Sequence, residues 1–262
     1  MIFPVGQEDR SEALRYIGDE RGKCLYMYMD ICKFGIDTSE ISVWMQKKND
    51  MITALMMQYH NGFHIYSRDD NYIADEIAGL IENQRPTMIC GTKKTIEDLS
   101  PRLPEYAIEY GEVSKLESVA AQETDVNVGL AKGDDFRQIG SMLREDEDYG
   151  AAFTLEELES QFRGRQESGL SRSYVYKKHG DVLAHIATGA ESIDTATLSG
   201  LIVNRMHRRK GLAVKVMSAI CSALQSEGKS VYSTYYMPES TSLHQKVGFV
   251  KYCDWGKLYK RV

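Results

Sequence analysis

Three basic residues, Arg208, Arg209 and Lys210, stand directly before Gly211, Leu212 and Ala213. They follow an apolar run (Leu198, Leu201, Ile202, Val203) and a polar break at 204–207, and they precede apolar positions at Leu212, Val216, Ile220 and Ala223, with Gly228 as a stop signal. That spacing predicts a strand, a basic glycine-containing loop and an amphipathic helix. A helix start leaves its first N–H groups unpaired and carries a partial positive charge, so with flanking Arg and Lys it forms a seat for a phosphate or pyrophosphate. Gly211 lets the backbone come close to such an anion, and Ala213 keeps the first turn slim. The other reading of this hexapeptide is a solvated basic turn before an ordinary helix.

Beyond it, residues 230–236 read as a strand, 240–247 as a short helix closed by Gly248, and 249–255 as another strand. Arg208-x-x-Gly211-x-Ala213 resembles the acyl-CoA pyrophosphate loop of the GNAT superfamily of N-acetyltransferases, whose pattern is Arg or Gln, two residues, Gly, one residue, Gly or Ala. Ser240-x-x-Leu243-His244-x-Lys246-x-Gly248-Phe249 resembles that family's later motif, Asn-x-x-Ala-x-x-Leu-Tyr-x-Lys-x-Gly-Phe. The two stand in the family's order and on the family's elements. The resemblance covers residues 126–262 well and the first part of the chain only in outline.

The resemblance implies an α/β (α+β) fold, a mixed and mostly antiparallel sheet flanked by helices, with acetyl-CoA as cofactor. It implies an enzyme, an N-acetyltransferase, in which a primary amine of a small molecule, amino acid or peptide attacks the thioester directly in a ternary complex. Such a reaction needs a held thioester, a deprotonated amine and a proton for the departing thiolate. By the same resemblance, Leu201, Ile202 and Val203 supply backbone hydrogen bonds to the pantetheine arm and polarise the acetyl oxygen. Arg208, Arg209, Lys210, Gly211, Leu212 and Ala213 would hold the pyrophosphate through main-chain N–H groups, with the three basic side chains adding charge. Where the family usually has a tyrosine that protonates the thiolate, this chain has His244, which is either a general acid or a polar residue on a short helix. The family's asparagine position is Met237, so its hydrogen bond is lost. For the general base the chain offers Glu191, Tyr232 and Tyr235, each of which is otherwise an exposed or packed side chain; His185, within a strand, reads as a hydrogen-bonded core or sheet-face residue. The departures at 237 and 244 leave open a second class, a non-catalytic acyl-CoA-binding regulatory protein.

Composition sets the outer bounds. At 262 residues, with 42% hydrophobic and 27% charged residues, the chain has enough material for two modest domains or one large one, each with a real core. A net charge of −6 argues against nucleic-acid binding, so the run from His207 to Lys210 fits one small phosphorylated ligand better than a polymer. No apolar run approaches the ~20 residues of a membrane span, and the start, Met1-Ile2-Phe3-Pro4-Val5-Gly6, lacks a signal peptide's regions; the expected setting is cytoplasmic. Five scattered cysteines with no Cys-x-x-Cys pair read as reduced, mostly buried thiols, with no metal site. Oligomeric state is open.

The elements that would position the site repeat. In the second half, 126–131 reads as a strand, Asp134-Asp135 caps a helix, Thr154-x-x-Glu157 opens another as a capping box, and 173–176 and 182–188 are strands joined by a turn. The run Glu145-Asp146-Glu147-Asp148 is either a solvated helix end or a lure for a cationic amine. In the first half, a helix at 8–17 is followed by strands at 25–29, 41–45, 52–58 and 63–66, a helix at 72–81, a strand at 87–90, a helix at 92–99 and a strand at 106–110. This order makes residues 1–118 a degenerate GNAT-like domain and 125–262 the acetyltransferase domain, with a polar linker at 114–125. Its counterpart of the basic loop, Ser67-Arg68-Asp69-Asp70-Asn71, has no glycine and two carboxylates, so it should repel a pyrophosphate and bind no CoA. Met27, Met29, Met45, Met51, Met56 and Met57 read as strand-core packing rather than a binding surface.

Overall fold

The computed structural model describes residues 1–36, 38–120, 125–145, 153–237 and 239–260. They form two compact units: Met1–Val113 with Thr234–Met237 and Lys251–Val262, and Ser114–Ser233 with Pro238–Val250.

The first unit begins with β1 (Ile2–Pro4), α1 (Arg10–Ile17) and α2 (Leu25–Phe34). The antiparallel meander β2 (Ile41–Lys48), β3 (Met51–Tyr59) and β4 (Gly62–Tyr66) follows, then α3 (Ala74–Gln84), β5 (Met88–Thr92), α4 (Lys93–Leu99) and β6 (Tyr106–Leu116). The expected strand at 25–29 is instead the start of α2. Its residues Leu25, Met27, Tyr28, Met29, Asp30 and Ile31 are all buried, so the helix is apolar nearly all round and its sequence shows no helical period. Met27, Met29, Met45, Met56 and Met57 are in the core, whereas Met51, at the start of β3, is exposed. Ile65, Ile77, Ile81, Ile89, Ile96 and Leu258 belong to one buried cluster.

The second unit repeats the order: β7 (Val128–Leu130), α5 (Asp135–Arg144), α6 (Leu155–Glu167), β8 (Ser173–Lys178), β9 (Asp181–Glu191), β10 (Thr195–Val203), α7 (Leu212–Ser226), β11 (Ser230–Tyr235), α8 (Glu239–Val247) and β12 (Phe249–Lys260). Two hydrophobic clusters flank its sheet. Leu198, Val216, Ile220, Val231 and Phe249 belong to the cluster that includes α7, and Phe136, Ile139, Leu158, Val175 and Ile202 to the one that includes α5 and α6. The capping box is formed: Thr154 Oγ accepts from the Glu157 amide and the Glu157 carboxylate accepts from the Thr154 amide. Asp134 makes no side-chain cap; the work passes to Asp135, which is buried, accepts the Lys132 amide at 2.9 Å and pairs with Lys177 at 2.6 Å. Of the acidic run, Asp146, Glu147 and Asp148 lie outside the described residues.

The last strand departs from the expected boundary. β12 runs on to Lys260, and its residues from Lys251 onward belong to the first unit, where Trp255 to Tyr259 pair antiparallel with Thr92 to Met88 of β5. All five cysteines are free thiols, three of them buried.

Candidate functional site

β10 and β11 are parallel and in register from Thr195↔Ser230 to Leu198↔Ser233, and their pairing ends there although β10 continues to Val203. On its other side β10 pairs with β9, with a register shift between Ser199 and Ile202. A strand that loses one neighbour leaves backbone N–H and C=O groups that need another partner. Beside this free stretch lies a cleft of about 720 Å³. One wall is Leu201, Ile202 and Val203; its floor is Arg208, Arg209 and the residues from Gly211 to Val214; the far wall is Ser240, Ser242, Leu243 and Lys246 of α8.

The basic loop is built by its own side chains. Asn204 Oδ1 accepts the Met206 amide at 3.0 Å, Arg208 Nε donates to the Val203 carbonyl at 3.2 Å and Lys210 Nζ to the Met206 carbonyl at 3.1 Å. Gly211 is at φ +77°, a conformation costly to residues with a Cβ, and a Cβ built there meets no atom within 4 Å: the space above it is open. The Lys215 amide bonds the Gly211 carbonyl at 3.2 Å, so the N–H groups of Leu212, Ala213 and Val214 precede the helical ladder and have no carbonyl four residues back within the helix. Exposed Arg208 and Arg209, together with Lys246, make the lining cationic, and no carboxylate is among the lining residues described. The shape, open glycine and unpaired amides fit a pyrophosphate.

Of the nine residues expected to hold a coenzyme, eight line this cleft. Lys210 does not; its ammonium ties the loop to Met206. The sequence reading missed Ser242 and the role of Lys246. Their i, i+4 spacing, with Leu243 next to Ser242, was the signal that one face of α8 looks outward.

The three proposed catalytic side chains are placed elsewhere. His244 lies about 200° around α8 from Ser242 and is buried. Its Nδ1 is 2.8 Å from the Ser240 carbonyl, its Nε2 2.8 Å from Ser233 Oγ, and its ring stands edge-on to Phe249. Burial pulls its basicity below the ordinary imidazole range, against the Ser240 bond that raises it. Its Nδ1 proton therefore sits on a backbone carbonyl, and His244 is not among the residues that line the cleft. Glu191 is in register with Ala196, about 17 Å along β10 from Leu201 at ~3.3 Å per residue. It accepts from Arg172 (2.7 Å), Lys229 (3.0 Å) and Thr188 (2.8 Å); burial raises its pKa, but these bonds together hold the carboxyl below the usual range. Glu191 is thus a half-buried carboxylate already held by two cations and a hydroxyl, and it does not line the cleft. Tyr232 is buried in register with Thr197, about 13 Å from Leu201 on the same measure. Tyr235 donates to Glu112 at 2.9 Å. Met237 is exposed.

In the first unit, the parallel pair β4–β5 also stops early, at His64↔Cys90. The loop after β4 borders a smaller cleft of about 310 Å³ lined by Lys23, Arg68, Lys93 and Lys94 but also by Asp70, Glu97 and Asp254. Lys23 pairs with Glu20, Lys94 with Asp98, and Arg68 donates to the carbonyls of Arg15 and Tyr16, so these cations are already engaged.

Residues 136–249 match the model of the acetyltransferase (GNAT) family. No curated protein matches the chain. Solved structures share its fold over nearly the whole length. They include a GCN5-related N-acetyltransferase from Sphaerobacter thermophilus (14% identity, 98% of this chain and 94% of that one, TM-score 0.66). An acetyltransferase of the GNAT family from Colwellia psychrerythraea is 12% identical, with all of both chains covered and a TM-score of 0.63. A tandem GNAT protein from the clavulanic acid biosynthesis pathway is 12% identical over 98% of this chain and 97% of that one, with a TM-score of 0.59. The family model thus gives a GNAT acetyltransferase domain at residues 136–249, and the solved structures give the chain the fold of GNAT proteins, tandem ones among them.

Proposed function

We propose that the second unit is an acetyl-CoA-dependent N-acetyltransferase acting on a primary amine of a small molecule, amino acid or peptide, in the cytoplasm, and that the first unit is a degenerate copy that binds no coenzyme. The observation that carries this is the cationic cleft at the parted end of β10, with Gly211 open and three unpaired amides at the start of α7. Acetyl-CoA, which this family generally uses, supplies an acetyl group activated as a thioester.

In this reading the amides of 212–214, with Arg208 and Arg209, bind the pyrophosphate, and Lys246 adds charge from the opposite wall. The backbone of Leu201, Ile202 and Val203 orients the pantetheine arm and polarises the acetyl oxygen. The amine nitrogen attacks the carbonyl carbon; a C–N bond forms, the C–S bond breaks, the nitrogen gives up a proton and the departing sulfur takes one. His244, Glu191 and Tyr232, engaged as described, leave those transfers to other groups or to water.

The test joins binding and turnover. CoA and acetyl-CoA should raise the melting temperature, and free thiol should be released when a panel of primary amines is offered with acetyl-CoA. Protection without thiol release from any amine would instead support a non-catalytic acyl-CoA-binding protein, the reading that the inward-turned His244 and exposed Met237 favour.

A further inference from the structure

His185 is a residue the site has not yet used. It stands on β9 in register with Ile202, fully buried, its ring edge-on to Phe162 of α6 with centroids 5.1 Å apart. Its Nδ1 is 2.8 Å from the carbonyl oxygen of Gly200, and its Nε2, also buried, has no hydrogen-bond partner among the described residues. A carbonyl only accepts, so Nδ1 carries the proton. Burial lowers the ring's pKa to about 4, outweighing the Gly200 bond that raises it, and keeps the ring neutral.

Gly200 is where β10 leaves its regular course. It lies inside the register shift between Ser199 and Ile202, has φ +62°, and a Cβ there would come 3.4 Å from His185 Cε1 and 3.5 Å from Phe162 Cζ. A glycine in a bulge has little of its own to fix the plane of the next peptide. No peptide bond among the described residues is cis, so the Gly200 carbonyl and the Leu201 N–H lie on one plane and point opposite ways.

We propose that His185 is a positioning residue for acetyl transfer: by pinning the Gly200 carbonyl beneath the sheet it turns the Leu201 N–H toward the cleft that Leu201 lines, where it donates to the thioester oxygen. The inference rests on the acetyltransferase reading and adds to it a side chain outside the pyrophosphate loop. The working nitrogen is Nδ1, a donor to the backbone; Nε2 takes no part.

The test needs no known acceptor. [1-13C]Acetyl-CoA is bound to the native protein and to H185N, H185L and H185Q, and the isotope-edited infrared stretch of the acetyl carbonyl is compared with that of free acetyl-CoA. Asn can set an amide N–H where Nδ1–H stands; Gln sets its amide nearer Nε2, and it also serves if H185L fails to fold. The stretch should be displaced to lower frequency in the native protein and in H185N, and return toward the free position in H185L and H185Q. CoA affinity, set by the loop, should stay within about twofold throughout. With an amine that is turned over, kcat should fall about tenfold to a hundredfold in H185L and H185Q with little change in the KM for acetyl-CoA, and be largely kept in H185N. A native-like stretch in H185L or H185Q, loss of it in H185N, or no displacement in the native protein while CoA binds would overturn the inference. Failure of the native protein to bind CoA at all would overturn the reading beneath it.

Discussion

Gly211 and Gly200 both hold positive φ in different settings: one lies under open space at the start of α7, the other lets a strand change course. Gly211→Glu would set a carboxylate into the open space above the loop and strain the backbone, so CoA affinity should fall about tenfold or more in a calorimetric titration, with the melting temperature of the free protein changing less than its response to CoA. His185 carries a second, separate consequence. Its pKa is about 4 in the folded chain and about 6.5 unfolded, so the unfolded state binds a proton that the native state refuses between those values. Stability from this group is complete above pH 6.5 and is lost as pH falls toward 4, by up to about 3 kcal/mol. Urea midpoints at pH 7.5 and pH 5 should therefore differ less in H185N than in the native protein. The basic loop was readable because its basic residues and its glycine stand next to one another at fixed spacing before an amphipathic helix. His185's bond to Gly200 was not, since nothing in the sequence says which carbonyl a buried imidazole will meet.

At the scale of elements, α8 shows what a motif can and cannot tell. Its segment was recognisable, yet His244, where the resemblance implies a tyrosine, is buried against the Ser240 carbonyl and the Ser233 hydroxyl. α2 shows the complementary limit: a helix buried on nearly every side has no polar face to mark its turns, and it reads as a strand. With α2 in place, both units repeat strand, two helices, meander, helix, strand, helix, strand, a closer repeat than the sequence discloses. Glu191 belongs to this scale too. It joins the end of β9 to Arg172, just before β8, and to Lys229, just before β11, while Arg172 also reaches Glu227 at the end of α7. E191A strands Lys229, which is mostly buried, and should cost about 3 kcal/mol in urea unfolding. CoA affinity at a temperature where the variant is folded should be unchanged; a specific loss of turnover there would restore Glu191 to the chemistry.

For the molecule as a whole, length left room for two modest domains or one large one, and where the chain passes from one compact unit to the other was not legible, because strand pairing joins residues far apart in sequence. Cutting the chain after Val250 removes the partner of Met88–Thr92 and takes Leu258 from the first unit's core. That truncation should leave an open apolar strand edge, seen as dye binding and aggregation on sizing. The arrangement also constrains biogenesis. A ribosome finishes the first hundred residues long before it makes Trp255, so the strand that pairs with Met88–Thr92 arrives well after the rest of the first unit. A stop codon ahead of Trp255 would therefore unmake the half that was synthesised first.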